Sequence, residues 1–351
     1  MASGIYDACN DTRGVMPGNK AVTTAADAVQ PRFRSVAIAL AALLLACAGA
    51  SAQDYPNRAV KIIVPFPAGG TADVMPRIVA DWLSRKWRQP VVIENKAGAA
   101  GNIGAEAAFN ADPDGYTLLS APPPPLVINQ NLYPKLPYDA AQFVPVSVMG
   151  IVPNALIVNP KKIAANTVAQ FIAYAKANPE KISVATQGNG STSHLTSELF
   201  QLMAQVKFVQ VPYRGSAPAL QGLVAGDVDV MFDNLGVSLA LVTGGQLKLI
   251  AVGTGGRMNA MPNVPTIAEA LPGFASSAWF GVVGPPKMPQ RIAAKISADI
   301  AEAIKQPDIR KRFAGLSAEP VGSDPARTAK FMHEEVERWN KVIKAAKVKL
   351  E

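Results

Sequence analysis

The feature that most constrains the fold is an alternation, from about residue 60 onward, between short β-branched runs and longer amphipathic stretches. Val60 to Pro65 is typical of a buried strand. In the stretch that follows, apolar residues recur every four positions at Val74, Ile78 and Trp82, which predicts a helix over about 71–87. Strands and helices that alternate in this way form a doubly wound α/β sheet with helices on both faces.

The alternation divides into two series. The first continues with predicted elements at 91–94, from about 102 and at 116–120, and it ends near Pro153. The second contains predicted helices at 168–177, 191–203 and 217–225, and predicted strands at 182–185, 208–211, 228–232 and 247–252. A strand at 279–283 is expected to return to the first series, followed by a mostly helical end whose final helix packs on that series through Met332 and Trp339.

Two series of this length predict two lobes, because a single hydrophobic core stops growing efficiently near 300 residues. We expect residues 54–153 and 277–351 to form lobe 1 and residues 154–276 to form lobe 2. The run Pro122–Pro125 is expected to be a stiff connection at the sheet edge, neither strand nor helix interior.

The beginning of the chain has the pattern of a signal peptide, predicted over residues 1–52. Arg32 and Arg34 precede an apolar run, 36–46, that is shorter than the roughly 20 residues needed to span a bilayer, and small residues follow it. The segment before Arg32 is long for such a leader, so Met16 is an alternative start. The pattern predicts export to the periplasm.

Both cysteines, Cys9 and Cys47, fall in this leader, so the exported chain is expected to lack disulfides and thiol nucleophiles. The residues before Cys47 loosely resemble a lipobox, which leaves lipid anchoring at Cys47 as an alternative. The two histidines, His194 and His333, are too few for a usual catalytic zinc site, and we expect no metal.

The net charge of +8 suits an anionic ligand or partner, although scattered surface lysines and arginines explain it equally well. No dense basic run with interleaved aromatic residues is present in the sequence, which argues against nucleic-acid binding. The sequence also lacks a dinucleotide fingerprint and a P-loop lysine, so we expect no cofactor.

A glycine pair at the end of the first strand is one candidate binding site. In VPFPAGGTAD, residues 64–73, Gly69 and Gly70 precede a predicted helix whose free N–H groups would point at one place outside the sheet. An anion could bind there. An ordinary strand-to-helix connection is the alternative.

The second candidate is QGNGSTSHLTSELF, residues 187–200, where Ser191 and Thr192 open a helix after a glycine-rich turn. The hydroxyls could bind a ligand or simply cap the helix. His194 could be proposed as a catalytic base, but G-N-G-S-T is not the nucleophile elbow G-x-S-x-G, so a ligand-orienting or structural role fits better.

Further polar residues follow predicted strands and would lie on the rim of a cleft between the lobes. Arg214 could neutralise a second anionic group or be exposed to solvent, and Tyr213 precedes it. Asp73 and Asp233 could hold waters or accept an amine from a ligand, and capping their own helices is an equally good explanation.

The sequence resembles the tripartite tricarboxylate transporter substrate-binding proteins, also called Bug receptors. The resemblance runs from Tyr55 almost to the C-terminus, in the expected order, through YPNRAVKIIVPFPAGGTADVMPR, VVIENKAGAAGNIGA, PDGYTLL, LPYDAAQFVPVS, QGNGSTSHLTSELF, VPYRGSAPALQGLVAGDVDVMFDN, MPNVPTIAEALPGF and the Trp279-Phe280-Gly281 segment. Departures occur at SAPPPPLV, where family members more often have a Ser/Thr/Asn-rich segment, and at GPPKMP.

The resemblance implies a type II periplasmic-binding-protein fold of two lobes that close on a small carboxylate by a hinge. It implies a monomeric receptor without catalysis, whose partners are a carboxylate ligand and a membrane permease. The implied ligand-binding residues are Phe66, Ala68, Gly69, Gly70, Asp73, Gln187, Gly188, Ser191, Thr192 and His194, with Tyr213 and Asp233 at the distal part of the ligand.

Two alternatives to a transport receptor remain open from the sequence. A sensory protein that presents its ligand to a membrane kinase would use the same site residues. A hydrolase or oxidoreductase on a similar scaffold is the enzymatic alternative, and the missing nucleophile elbow and dinucleotide fingerprint argue against it.

Overall fold

The computed structural model describes residues 55–346 and residue 348. The strands are β1 (Val60–Val64), β2 (Val91–Asn95), β3 (Thr117–Ala121), β4 (Val144–Val158), β5 (Ser183–Thr186), β6 (Val209–Pro212), β7 (Val230–Asn234), β8 (Lys248–Val252), β9 (Ser277–Gly284) and β10 (Glu319–Pro320). The helices are α1 (Thr71–Trp87), α2 (Asn102–Phe109), α3 (Val168–Ala177), α4 (Thr192–Ala204), α5 (Ser216–Ala225), α6 (Leu235–Thr243), α7 (Gln290–Lys305), α8 (Pro307–Gly315) and α9 (Pro325–Ala346). The predicted α/β alternation is confirmed.

The strands pair in the order β2-β1-β3-β9-β4-β7-β5-β6. The first group, β2, β1 and β3, is parallel, and β9 joins it antiparallel to β3. In the second group β5 is parallel to both β6 and β7. Because parallel strands present their carboxyl ends at one edge, each group brings its strand-to-helix turns together.

The long strand β4 belongs to both groups. Its residues 144–153 pair antiparallel with β9, and its residues 154–158 pair antiparallel with β7 and, beyond Asn154, with β8. This strand was not predicted from the sequence because Pro145 and Pro153 lie within it, and proline is usually confined to edges and bulges. The register with β9 shifts just after Pro145, which is a place where a strand tolerates proline.

The final helix packs on the first group of strands, as the spacing of its apolar residues predicts. Met332 and Trp339 of α9 are buried in one cluster with Trp279 of β9. Glu335 also accepts hydrogen bonds from the indole N–H groups of Trp279, at 2.8 Å, and Trp339, at 3.1 Å.

The prediction that Pro122–Pro125 is a non-helical connection at the sheet edge is wrong. The residues follow β3, which lies between β1 and β9, and Pro124–Ile128 forms a π-helical turn with proline in its first positions. Proline is tolerated there because the first N–H groups of a helix have no intrahelical partner.

Within residues 55–346 and 348, no helix is both long and apolar enough to cross a membrane. The predicted signal peptide and both cysteines lie outside the described residues.

Candidate functional site

Helix α1, which follows β1 after the turn at residues 65–70, begins with free backbone N–H groups. Gly70 is its N-cap and makes no side-chain cap. The N–H groups of Asp73 and Val74 both donate to the Gly70 carbonyl at 2.9 Å, which leaves those of Thr71 and Ala72 without a partner in the described part of the chain. Thr71 is 2% exposed, and its hydroxyl oxygen also finds no partner among the described residues.

Helix α4 begins in a similar way after β5. Its N-cap Ser191 accepts a hydrogen bond from the N–H of His194 at 3.2 Å, so the hydroxyl of Ser191 does cap the helix. The N–H of Leu195 donates to the Ser191 carbonyl at 3.0 Å. The N–H groups of Thr192 and Ser193 therefore remain available at the helix start.

Two further helices begin nearby, and no sequence motif assigned either of them to a binding site. Helix α5 follows β6, with Gly215 as N-cap at a φ of 114°, a conformation that glycine adopts readily. Helix α6 follows β7 directly, with Asn234 as N-cap. Neither helix has a side-chain cap hydrogen bond.

The four helix starts surround one cavity of about 20 Å³. It is lined by Phe66, Pro67, Gly70, Thr71, Ala72, Pro122, Pro124, Gln187, Ser191, Thr192, Gly215, Ser216 and Asn234. None of these lining residues carries a formal charge. Because each helix start carries a partial positive charge and unpaired N–H groups, the cavity favours an anion.

Five of the residues implied by the family resemblance line this cavity: Phe66, Gly70, Gln187, Ser191 and Thr192. The other seven do not line it: Ala68, Gly69, Asp73, Gly188, His194, Tyr213 and Asp233. Three of these seven, Asp73, His194 and Asp233, support the turns or the cavity wall from behind.

Asp73 holds the turn before α1. Its carboxylate accepts hydrogen bonds from the N–H of Gly69 at 3.0 Å, from Arg77 Nε at 2.9 Å and from Asn95 Nδ2 at 2.9 Å. Burial opposes ionisation, but these hydrogen bonds outweigh it and lower the pKa of Asp73 below its ordinary value. The carboxylate is thus engaged by its own helix, by the turn before it and by the last residue of β2.

His194 supports the glycine-rich turn before α4. Its Nδ1 accepts a hydrogen bond from the N–H of Gly190 at 3.1 Å, and its Nε2 lies 3.7 Å from Glu198 Oε1. Burial lowers the pKa of His194 to about 4, so the ring is neutral near pH 7. The structural role of His194 is therefore that of a neutral hydrogen-bond acceptor that holds the turn.

Asp233 lies directly behind the cavity wall and is 0% exposed. Its Oδ1 accepts hydrogen bonds from Gln187 Nε2 at 2.7 Å and from Ser216 Oγ at 2.9 Å, and both donors line the cavity. Burial raises the pKa of Asp233 to about 6, although the hydrogen bonds from Ser216 and Gln187 partly offset it.

Tyr213 and Arg214 do not line the cavity. The Tyr213 ring lies against Gly222 of α5, where an added Cβ would collide with the phenol group. Arg214 is exposed. Gly188 and Ala68 belong to the adjoining turns, and Ala68 is also exposed.

A chain of buried polar groups links the cavity to the point where β4 passes between the strand groups. Asn234 Nδ2 donates to Asn154 Oδ1 at 2.6 Å and to Thr192 Oγ1 at 3.3 Å. Asn154 Nδ2 in turn donates to Ser276 Oγ at 2.8 Å, and Ser276 Oγ lies 2.6 Å from Thr196 Oγ1. Asn154 lies in β4 and Ser276 directly precedes β9, and these two segments connect the strand groups. The site and this connection therefore share one hydrogen-bond network.

No group of three or more His, Cys, Asp or Glu side chains that could hold a metal ion occurs in residues 55–346 and 348.

Comparison with known proteins assigns the family. Residues 75–348 match the model of the family described as "Tripartite tricarboxylate transporter family receptor". Protein BugT of Bordetella pertussis (strain Tohama I) is 37% identical over 320 residues, which cover 89% of this chain and 98% of BugT.

Two solved structures share the fold with sequence identity above 30%. One is described as R. palustris Rpa4515 with adipate; it is 36% identical, with a TM-score of 0.82, and the match covers 84% of this chain and 99% of that one. The other is MatC from Rhodopseudomonas palustris with bound malate; it is 33% identical, with a TM-score of 0.77, and the match covers 82% of this chain and all of that one. The chain therefore belongs to the tripartite tricarboxylate transporter receptor family and has its two-lobed α/β fold.

Proposed function

We propose that the protein is an extracytoplasmic solute receptor that captures a small carboxylate between two lobes and delivers it to a tripartite tricarboxylate-type membrane permease. The observation that carries this proposal is the convergence of four helix starts on one cavity whose lining residues bear no formal charge. A carboxylate would gain hydrogen bonds from N–H groups and hydroxyls without displacing a resident counter-ion.

The position and the small size of the cavity support capture by closure of the lobes. We assign lobe 1 to residues 54–153 and 277–351 and lobe 2 to residues 154–276. On that assignment α1 starts in lobe 1, and α4, α5 and α6 start in lobe 2. A cavity of about 20 Å³ admits little more than a water molecule, so a carboxylate with several carbon atoms requires the lobes to move apart and then close around it.

The crossover at β4 and β9 supplies a hinge for that motion. Two extended segments connect the proposed lobes there. Asn154 lies where β4 changes its pairing partner from β9 to β7, and Ser276 directly precedes β9. Hinges of this kind are a few terminal residues of strands or loops that absorb the backbone rotation while each lobe stays rigid.

Relatives and the leader support the remaining parts of the proposal. Rpa4515 and MatC are described with adipate and malate, which are aliphatic dicarboxylates, and we propose ligands of that class for this chain. The predicted signal peptide supports a periplasmic location. We propose a monomer that meets its permease through the exposed faces of the closed lobes.

Thermal denaturation of the purified chain with a carboxylate library, matched primary amides and neutral sugars tests the binding role. A ligand at 100 times its Kd stabilises the folded chain by roughly 2.7 kcal/mol. The proposal expects carboxylates alone to raise the Tm. Stabilisation by sugars, esters or nucleotides in place of carboxylates would contradict it, and loss of carboxylate uptake from cells that lack the gene tests delivery.

A further inference from the structure

A buried carboxylate group lies directly behind the wall of the cavity. Asp233, near the end of β7, is 0% exposed. Its Oδ1 accepts hydrogen bonds from Gln187 Nε2 at 2.7 Å and from Ser216 Oγ at 2.9 Å, and both donors belong to residues that line the cavity. An anion that contacts either residue is therefore separated from Asp233 by a single side chain.

The elements that pack against β7 bring no cation to Asp233. Strands β4 and β5 and helices α5 and α6 contain no titratable residue. Helix α4 carries two, His194 and Glu198, of which the histidine is neutral near pH 7 and the glutamate is an acid. No charged group of the described residues is among those that shift the pKa of Asp233.

The charged groups at the neighbouring helix starts do not compensate Asp233 either. Asp73 of α1 is paired with Arg77 at 2.8 Å, and Arg214 before α5 is exposed. An ionised Asp233 is therefore an uncompensated negative charge beside a site that favours an anion.

The two oxygens of Asp233 differ in their surroundings. Oδ1 holds both hydrogen bonds from the cavity wall, whereas Oδ2 is buried and has no partner among the described residues. A carboxyl group that is protonated on Oδ2 keeps Oδ1 as an acceptor. Uptake of a proton on Oδ2 therefore leaves Gln187 and Ser216 in place.

We infer that Asp233 is a proton-binding site of the receptor, which takes up a proton when the cavity captures a carboxylate, so that the closed lobes hold both. This inference rests on the proposed carboxylate-binding function and adds the proton to what the site binds. Two carboxylates that share a buried site do not both stay ionised, because each charge disfavours the other. The solvent supplies the proton, and the only bond that forms is the O–H bond on Oδ2.

Burial places the titration of Asp233 close to the range in which this exchange can be measured. It raises the pKa of Asp233 to about 6, so most of the free chain is ionised there at pH 7. An anion in the cavity should raise the pKa further. Capture near pH 7 should then convert Asp233 from mostly ionised to mostly protonated.

Calorimetric titration of the full chain in two buffers counts the protons. The probes are C3 to C6 mono- and dicarboxylates, adipate and malate among them, at pH 7 in Bis-Tris and in Tris, which differ in ionisation enthalpy and are not anions. The difference in apparent binding enthalpy should correspond to uptake of about 0.5 proton or more per ligand. Equal enthalpies in the two buffers would overturn the inference and leave carboxylate capture intact. If no probe binds in either buffer, the proposed function itself fails.

The pH dependence of the Kd gives a second measure of the same exchange. Because binding takes up a proton, the affinity should fall as the pH rises, and we expect the Kd to increase about three- to 20-fold between pH 6.5 and 8.5. The probes stay ionised over this range, and His194, with a pKa of about 4, stays neutral. A Kd that does not change with pH would contradict proton uptake.

The Asp233→Asn variant assigns the proton to this residue. The amide resembles the protonated acid in shape, and its oxygen can still accept from Gln187 and Ser216, but it cannot exchange a proton. The difference between the buffers should vanish, and at pH 8.5 the variant should bind about threefold or more tightly than the parent chain. A merely structural role would weaken binding at every pH. Proton uptake that persists in the folded variant would refute the assignment.

Asp229→Asn is the matched control. Asp229 accepts hydrogen bonds from the Ser183 N–H at 2.8 Å and hydroxyl at 2.7 Å, and it does not line the cavity. Its substitution should leave the proton uptake unchanged. If Asp233→Asn does not fold, infrared difference spectra of the parent chain at pH 7 should show the carbonyl stretch of a newly protonated carboxyl group when the ligand binds. Absence of that band would contradict the inference.

Discussion

Gly236 lies directly against Thr71: a Cβ built on Gly236 would stand 2.5 Å from Thr71 Oγ1. Gly236 belongs to the first turn of α6, which follows β7 of the second strand group. Thr71 belongs to the first turn of α1, which follows β1 of the first group. The helix starts can therefore meet this closely only because position 236 has no side chain.

Gly236→Ala should hinder closure and weaken ligand binding. Overpacking of this kind costs about 1–3 kcal/mol, which corresponds to about 5- to 150-fold in Kd. The open chain should fold, because the clash arises only where the two helix starts meet. Gly255→Ala is the control, since no atom lies within 4 Å of its added Cβ. Unchanged affinity in Gly236→Ala would contradict the closed geometry.

Thr71→Val should weaken carboxylate binding without destabilising the free chain. The substitution keeps the shape of the side chain and removes a buried hydroxyl that has no partner among the described residues. The free energy of unfolding without ligand should stay unchanged or rise, while the affinity falls by about 1.5–3 kcal/mol, as for a hydrogen bond to a charged group. Denaturant unfolding and calorimetry measure the two quantities.

The control for Thr71→Val is Thr328→Val, which should show the reverse. Thr328 is fully buried in the first turn of α9 and donates to the Asp324 carbonyl at 2.8 Å. Loss of that bond should lower the stability and leave the affinity unchanged. A loss of stability in Thr71→Val as large as in Thr328→Val would refute the ligand-directed role.

The sequence was sufficient to assign two of the four helix starts to a binding site, and it predicted the helix at a third, α5, without a binding role. Gly69-Gly70 and Ser191-Thr192 stand out because glycine or hydroxyl residues separate a β-branched run from an amphipathic helix. Helix α6 was missed because its residues, LGVSLALVT, are apolar on every face, so no helical period marks them. Asn234 before that helix is a favoured N-cap type, which is the local signal that could have revealed it.

The roles of Asp73, His194 and Asp233 could not be predicted from the sequence, because they depend on which way each side chain points. A residue type beside a turn has the same spacing whether it faces a ligand or holds the turn from behind. Asp73 reaches Asn95 and Asp233 reaches Gln187, which are contacts between separate parts of the chain. Only the pairing of the strands brings those partners together.

Asn154→Ala should lower both stability and affinity. Asn154 holds Asn234 at the cavity and Ser276 at the crossover through buried hydrogen bonds of 2.6 and 2.8 Å. Leaving these groups unpaired costs about 1–3 kcal/mol of stability. The misplaced Asn234 should also raise the Kd.

The matched control for Asn154→Ala is Asn159→Ala. Asn159 is a buried asparagine just after β4 that donates to the Leu223 carbonyl at 2.9 Å, away from the cavity. Its loss should reduce stability by a similar amount and leave the Kd unchanged. If both variants raise the Kd to the same extent, Asn154 acts through stability alone.

His194 should make the chain less stable in mild acid. Its pKa is lowered from 6.5 to about 4, so the unfolded state binds a proton more readily than the folded state between these values. The stability due to the neutral ring is complete above pH 6.5 and is lost as the pH falls through about 4, by up to about 3 kcal/mol. Asp233, with its pKa raised to about 6, acts in the opposite direction over part of this range.

Comparison of His194→Gln with the parent chain isolates the histidine contribution. The variant should lose the fall in stability between pH 6.5 and 4 that His194 causes, as measured by urea unfolding at several pH values. His333→Gln, at a side chain that is 78% exposed, should follow the parent. A pH profile of His194→Gln that matches the parent would contradict the buried neutral ring.

The most direct test of the central claim is calorimetric titration of the full chain with its best carboxylate and with the primary amide of the same carbon skeleton. If free N–H groups and hydroxyls at four helix starts capture an anion, the carboxylate should bind at least about 100-fold more tightly, a difference of about 2.7 kcal/mol. Equal binding of the amide, or binding of neither, would show that the cavity is not a carboxylate site.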